Sequence, residues 1–133
     1  MGCEMGGLTA LATFVGGGAG AACRYGVGRA LARRYQGSLP LGTFAINVSG
    51  CFALGLLASL LAAVHRDTRV ATSLVATGFL GGYTTFSTYA LEGVLLAEGK
   101  RGSLAALSLV GPVLAGLGAA ALGAGLAALI VTA

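Results

Sequence analysis

Four long apolar stretches divide the chain, at about 8–28, 41–64, 70–96 and 104–131, with short polar connections at 29–40, 65–69 and 97–103. As helices rising about 1.5 Å per residue, each is long enough to cross a hydrocarbon core of about 30 Å. Short connections make consecutive helices antiparallel neighbours. The connections carry helix-breaking chemistry. Gly37-Ser38-Leu39-Pro40 precedes the second stretch, with Pro40 suited to a first helical position, and Gly99-Lys100-Arg101-Gly102 forms a turn before the fourth. The pattern predicts an all-α membrane protein, residues 1–133 forming a single unit of four transmembrane helices. It leaves no room for a soluble domain, a nucleotide fold or a long catalytic loop.

Composition strengthens this picture. With 56% hydrophobic and 9% charged residues, a soluble domain of 133 residues could not cover its surface. The 24 glycines would weaken ordinary soluble helices, whereas in lipid they let backbones pack closely. Gly111, Ala115, Ala119, Gly123 and Ala127 recur every fourth residue, which predicts a small-residue packing ridge on the fourth helix. The net charge of +4 does not point to nucleic acid, because the basic residues cluster in the connections as a topology signal. Arg29, Arg33, Arg34, Lys100 and Arg101 lie on one side and Arg66 and Arg69 on the other, so the positive-inside rule puts both termini outside. The first seven residues hold Glu4 and no Lys or Arg, unlike a cleavable signal, so the first apolar stretch reads as a retained helix. Cys3, Cys23 and Cys51 lack metal-ligand spacing and read as small packing residues. His65 reads as a solvated loop residue.

Polar groups at membrane depth are the candidates for chemistry. Asn47 stands alone in the second stretch, where an unpaired amide costs about 2–7 kcal/mol. It is either an interhelical hydrogen-bonding residue or a donor to a permeating anion. In the third stretch, Gly78-Phe79-Leu80-Gly81-Gly82-Tyr83-Thr84-Thr85-Phe86-Ser87-Thr88-Tyr89 combines glycines with β-branched threonines and makes a poor continuous helix. Either the helix kinks here for packing, or it breaks at mid-membrane and frees backbone groups for an ion. Phe86 and Tyr89, three residues apart, share a helix face. They pack together, or they turn partly positive ring edges toward an anion. Arg24 is an interfacial anchor or part of a positive vestibule. Glu92, late in the third stretch, reads as a snorkelling carboxylate.

Three motifs carry a family resemblance: Gly17-Gly18-Ala19-Gly20-Ala21-Ala22-Cys23-Arg24-Tyr25, Gly42-Thr43-Phe44-Ala45-Ile46-Asn47-Val48-Ser49-Gly50-Cys51-Phe52, and the run from Gly78 to Thr88. Together they resemble the signatures of the Fluc (CrcB) family of fluoride channels. The resemblance implies an antiparallel, dual-topology dimer in the cell membrane, enclosing two pores that export toxic fluoride passively. It places Asn47 and Phe86 on the fluoride path and makes Thr85, Ser87 and Thr88 its neighbours. It assigns the backbone carbonyls of Gly81 and Thr84, from both subunits, to a structural sodium ion at the dimer centre. Arg24 would line an aqueous vestibule.

This chain departs from the family pattern in two places. Tyr89 stands where the family usually has phenylalanine, and its hydroxyl either supplies a new hydrogen-bond donor or narrows the path. The fourth helix carries Ser108 in its first half and Thr132 at its far end, where family members often have several hydroxyls. These departures imply that one of the pores is altered and, with the uneven connection charges, leave two partners open: a second copy of this chain (a homodimer), or a homologous, oppositely oriented subunit (a heterodimer). Two other classes compete. A small drug/proton antiporter needs a membrane-embedded carboxylate, and the first helix has none between Thr9 and Gly28. A non-transporting membrane scaffold explains the glycines but not Asn47 beside a weak helix. An enzyme is not expected, because no nucleophile–base pair, metal cluster or phosphate loop stands out.

Overall fold

The computed structural model describes residues 2–37, 39–63 and 68–132, and all its regular structure is helical. Helix α1 spans Gly2–Arg34, α2 spans Leu41–Ala63, and α6 spans Gly102–Thr132. These three are long and apolar enough to cross a membrane. Between α2 and α6 lies a composite segment: α3 (Arg69–Thr72), a π-helical stretch (Ser73–Leu80), α4 (Gly81–Tyr83) and α5 (Phe86–Glu98). The side chains of Cys3 and Glu4, and the residues Ser38, Val64, His65, Arg66 and Asp67, lie outside the described residues.

Helix α1 outruns the predicted 8–28 at both ends. Its last turn carries Arg33 and Arg34, cations that favour the negative end of the helix dipole, and Arg29 Nη1 donates to the Tyr25 hydroxyl one turn back at 2.9 Å. Between α5 and α6 the chain reverses through a C-cap of the Schellman type. The Arg101 N–H donates to the Leu96 carbonyl at 3.0 Å and the Lys100 N–H to the Ala97 carbonyl at 3.1 Å, with Lys100 at φ 56°.

The helices form two close pairings. Helix α1 packs along the π-helical stretch and α4, while α2 packs along α6, which also takes α5 on its flank. Glycine makes both pairings possible. A Cβ at Gly16 would lie 2.1 Å from the Leu74 carbonyl oxygen, and one at Gly20 only 2.0 Å from that of Phe79. The wider π-helical backbone thus presses its carbonyls onto a smooth face of α1. On the other side, a Cβ at Gly55 would meet the Ala120 carbonyl at 2.1 Å, and one at Gly123 the Phe52 carbonyl at 2.2 Å. We expect Gly20→Ala to force α1 off the third segment and lower stability by about 1–3 kcal/mol, the usual cost of overpacking. Thermal unfolding in detergent measures this, and an unchanged midpoint would count against the close approach.

The seam on α6 differs from the predicted every-fourth-residue ridge. Its buried positions are Ala105, Ser108, Gly116, Gly123 and Ala127, while Ala115 and Ala119 stay half-exposed. A step of four residues overshoots one helical turn by about 40°, so a strict fourth-residue row drifts off the contact; a seam follows it by mixing steps of three and four. Cys51 seats its sulfur against Gly116, as a packing residue should, whereas Cys23 is exposed.

Most large apolar side chains point outward. Phe14 is 80% exposed, Leu122 70% and Leu129 69%, so the solvent these faces match is lipid. Among the described residues the buried core of the single chain is small: Ile46, Leu80, Ala105 and Ala127 among apolar residues, with Thr43, Thr85 and Ser108 among polar ones. Three of the buried side chains among the described residues are therefore hydroxyls, and one of them, Thr85, lies at the interruption of the third segment.

Candidate functional site

Between α4 and α5 two residues leave the helix. Thr84 (φ −75°, ψ 162°) and Thr85 (φ −148°, ψ 122°) are extended. An interruption of this kind releases backbone groups that must find partners away from water. The Thr85 N–H donates to Asn47 Oδ1 at 2.9 Å, and Asn47 Nδ2 donates to the Thr85 carbonyl at 2.9 Å. The side-chain amide of α2 thus pairs with Thr85 much as a neighbouring strand would. The Thr84 carbonyl accepts from Arg24 Nη1 at 3.1 Å, and the Thr84 hydroxyl donates back to the Leu80 carbonyl at 3.0 Å.

Of the two readings of Asn47, the structure realises the interhelical bond in a two-point form. The amide has two hydrogens, and Thr85 takes one. Arg24 reaches to the interruption through this bond to the Thr84 carbonyl. It lines a cleft of about 490 Å³ with Thr43, Thr85, Thr88 and Glu92.

Thr85 also starts α5. Its Oγ1 accepts the Thr88 N–H at 3.3 Å, an N-cap, and lies 3.1 Å from the Thr88 hydroxyl and 3.3 Å from that of Ser87. Three hydroxyls therefore gather at the partly positive end of α5. Phe86 and Tyr89 share a face as expected, with ring centroids 5.6 Å apart and planes tilted by 46°; Phe86 is 79% exposed. The Tyr89 hydroxyl donates to the Leu109 carbonyl on α6. Ser108 is buried, and its hydroxyl donates to the Ala105 carbonyl at 3.0 Å.

The Gly81 carbonyl is also affected. In an uninterrupted helix it would accept the Thr85 N–H, which here belongs to Asn47. The side of Gly81 is open, with nothing within 4 Å of where a Cβ would stand. Released carbonyls are hard oxygen donors of the type a sodium ion prefers. Gly81 fits that role better than Thr84, whose carbonyl already has the Arg24 guanidinium on one lone pair.

Glu92 corrects the snorkelling expectation. Its side chain is half-buried against α2, where Oε1 accepts the Thr43 hydroxyl at 2.8 Å, and Oε2 is buried without a protein partner among the described residues. Thr88 and Glu92 are four residues apart, so the face they share was readable from spacing. The acceptance of Thr43 was not. The lack of an acidic residue between Thr9 and Gly28 of the first helix therefore does not make the interior free of carboxylates.

Long lipid-matched helices around a hydroxyl-lined helix interruption define a multi-pass helical membrane protein. Its relatives narrow the class. The family model described as CrcB-like protein, Camphor Resistance (CrcB) matches residues 6–124. The chain is 48% identical over 116 residues to fluoride-specific ion channel FluC 1 of Brucella melitensis biotype 1, covering 85% of this chain and 94% of that one. It is 45% identical over 120 residues to fluoride-specific ion channel FluC of Methylobacterium nodulans, covering 90% and 94%. With FluC 2 of Yersinia pseudotuberculosis serotype I the identity is 44% over 115 residues, covering 85% and 91%. The chain belongs to the CrcB family.

Proposed function

We propose that this chain is one subunit of a fluoride-selective channel in the cell membrane that lets cytoplasmic fluoride leave passively and so protects against its toxicity. The observation that carries the reading is kinship with proteins named fluoride-specific channels over at least 85% of the chain. The Asn47–Thr85 interruption supplies a physical basis for it. Fluoride holds its water tightly, so a channel must replace that shell with weak, successive contacts. The remaining Asn47 hydrogen, the Ser87 and Thr88 hydroxyls, the N-terminal end of α5 and the ring edges of Phe86 and Tyr89 are contacts of that strength. The Arg24 cleft would gather the anion, and Ser108 extends the hydroxyls toward α6. The protein is a channel and not an enzyme.

The composite segment from α3 to α5 serves as the fourth span, which places the interruption at mid-membrane. A second subunit of opposite orientation covers Phe86 and Gly81, both open on the single chain. The Gly81 and Thr84 carbonyls, with their counterparts in that subunit, would hold a sodium ion, whose charge stabilises the packed carbonyls. The uneven distribution of basic residues favours a homologous partner over a second copy.

Proteoliposomes with the purified chain, loaded with fluoride or chloride, test this. Rapid fluoride efflux with chloride retained is expected. Vesicles as tight to fluoride as empty ones, with the chain alone and with any oppositely oriented homologue added, would overturn it. Proton-coupled uptake of a cationic drug would point to an antiporter. No flux of any kind would leave the scaffold.

A further inference from the structure

Two adjoining clefts open at the end of the molecule where α1 finishes and α5 turns into α6. The first, of about 490 Å³, reaches from Tyr35 to Thr85 and Thr88 at the interruption, with Arg24 and Glu92 in its wall. The second, of about 460 Å³, lies against the last turns of α5 and holds Glu92 and Arg101. Gly37, Leu39, Pro40 and Glu92 belong to both walls, so the clefts adjoin at Glu92 and along the connection that precedes α2.

The charges of the first cleft cancel. Arg24 contributes one positive charge and ionised Glu92 one negative, and its other lining residues are uncharged. The two are not paired with each other. Arg24 Nη1 donates to the Thr84 carbonyl at 3.1 Å, while Glu92 Oε1 accepts the Thr43 hydroxyl at 2.8 Å and Oε2 is buried without a protein partner among the described residues. A cleft with no net charge does little to concentrate an anion. Arg101 changes the balance. With it, the joined clefts carry one net positive charge, whereas Arg29, Arg33 and Lys100 line neither of them. The Arg101 side chain is exposed and forms no ion pair among the described residues, so its charge is not spent on a neighbour.

Building on the channel reading, we infer that Arg101 gives the vestibule its net positive charge and so gathers fluoride at the mouth of the Arg24 cleft. It acts through its field and is not a ligand of the ion. A solvated guanidinium suits this task, because it attracts the anion without holding it back from the path. The Arg101 N–H bonds the Leu96 carbonyl in the reversal into α6, and that is a backbone bond. The side chain can therefore be exchanged with the hydrogen bonds of the turn kept.

Arg101→Gln removes the charge and Arg101→Lys keeps it. Efflux from proteoliposomes at low fluoride, with a potassium ionophore and the same potassium gluconate on both sides, measures the difference. Ionic strengths of about 0.01 M and about 1 M set screening lengths of about 30 Å and about 3 Å. At the lower salt Arg101→Gln is expected to cut flux about 3-fold, the order expected of a unit charge roughly 10 Å away in a setting between water and protein. At the higher salt it should converge with wild type, and Arg101→Lys should follow wild type at both. Unchanged flux at low salt overturns the inference. So does a fall that is equal at both salts or shared by Arg101→Lys, since that is a structural effect. Arg33→Gln removes the same charge from an exposed residue on the last turn of α1. A fall as large in that variant would assign the effect to the whole basic end and overturn the role of Arg101. Wild-type vesicles tight to fluoride at both salts, with the chain alone and with an oppositely oriented homologue, would end the channel reading and this inference together. A conducting wild type with an indifferent Arg101→Gln ends the inference alone.

Discussion

Asn47→Asp should nearly abolish fluoride flux while altering the shape of the side chain very little. The carboxylate can still accept the Thr85 N–H, which Asn47 Oδ1 now takes at 2.9 Å. It cannot replace the other half of the pairing, in which Nδ2 donates to the Thr85 carbonyl at 2.9 Å. When ionised, an oxygen would face an oxygen, and the carbonyl would lose its donor at a cost of about 1–3 kcal/mol. A negative charge would also stand where an anion must pass. These effects act in the same direction, and we expect flux to fall by about 100-fold or more, the equivalent of about 3 kcal/mol. The comparison with Asn47→Ala separates them: alanine loses the pairing without adding charge. Efflux from proteoliposomes at matched protein density is the measurement. Flux at wild-type level in the aspartate variant would remove Asn47 from the path and leave it as a brace.

Phe86→Ile should cut fluoride flux by about 30-fold with little loss of stability. The side chain is 79% exposed on the single chain, so its exchange disturbs few contacts within the subunit, and another bulky apolar group keeps an apolar surface for the second subunit to cover. What disappears is the ring, with its partly positive edge and its tilted contact with Tyr89 at 5.6 Å. If the edge–anion contact has the strength of a desolvated ring–cation contact, about 2 kcal/mol, its loss gives a fall of that size. Efflux and the unfolding temperature should therefore part: the first drops and the second holds. Both falling together would make Phe86 a packing residue, and both unchanged would take it out of the mechanism.

The two variants test different parts of the same site. Asn47 acts through the backbone of Thr85, so its removal disturbs the interruption itself. Phe86 lies just beyond it, on the first turn of α5, and leaves the interruption intact. A channel that tolerated the first change but not the second would place selectivity on the rings.

Much of this was legible in the sequence because lipid punishes polar groups. An isolated amide in an apolar stretch must have a partner, so Asn47 could be singled out before its partner was known. Glycines crowded before paired threonines marked a weak helix, and the helix does end at Tyr83. Other features were hidden by their remoteness. The π-helical stretch from Ser73 to Leu80 has no compositional mark of its own; it exists against the glycine face of α1. Glu92 looked like a surface carboxylate because the hydroxyl that holds it belongs to Thr43, far away in the chain. The bond of Tyr89 to Leu109 needs the docking of α5 on α6.

The sequence by itself determined the class of the protein, three long apolar helices and the small stock of polar groups within its apolar stretches, since hydropathy, glycine content and breaker residues act locally. Only the tertiary structure decided which of those groups meet. The third segment runs along α1 as far as Tyr83 and along α6 from Phe86 onward. That change of partners demands a break, and the break leaves peptide groups that α1 and α2 must satisfy through Arg24 and Asn47. Hydrogen bonds between distant helices depend on how the helices dock, and docking is not written in any one of them.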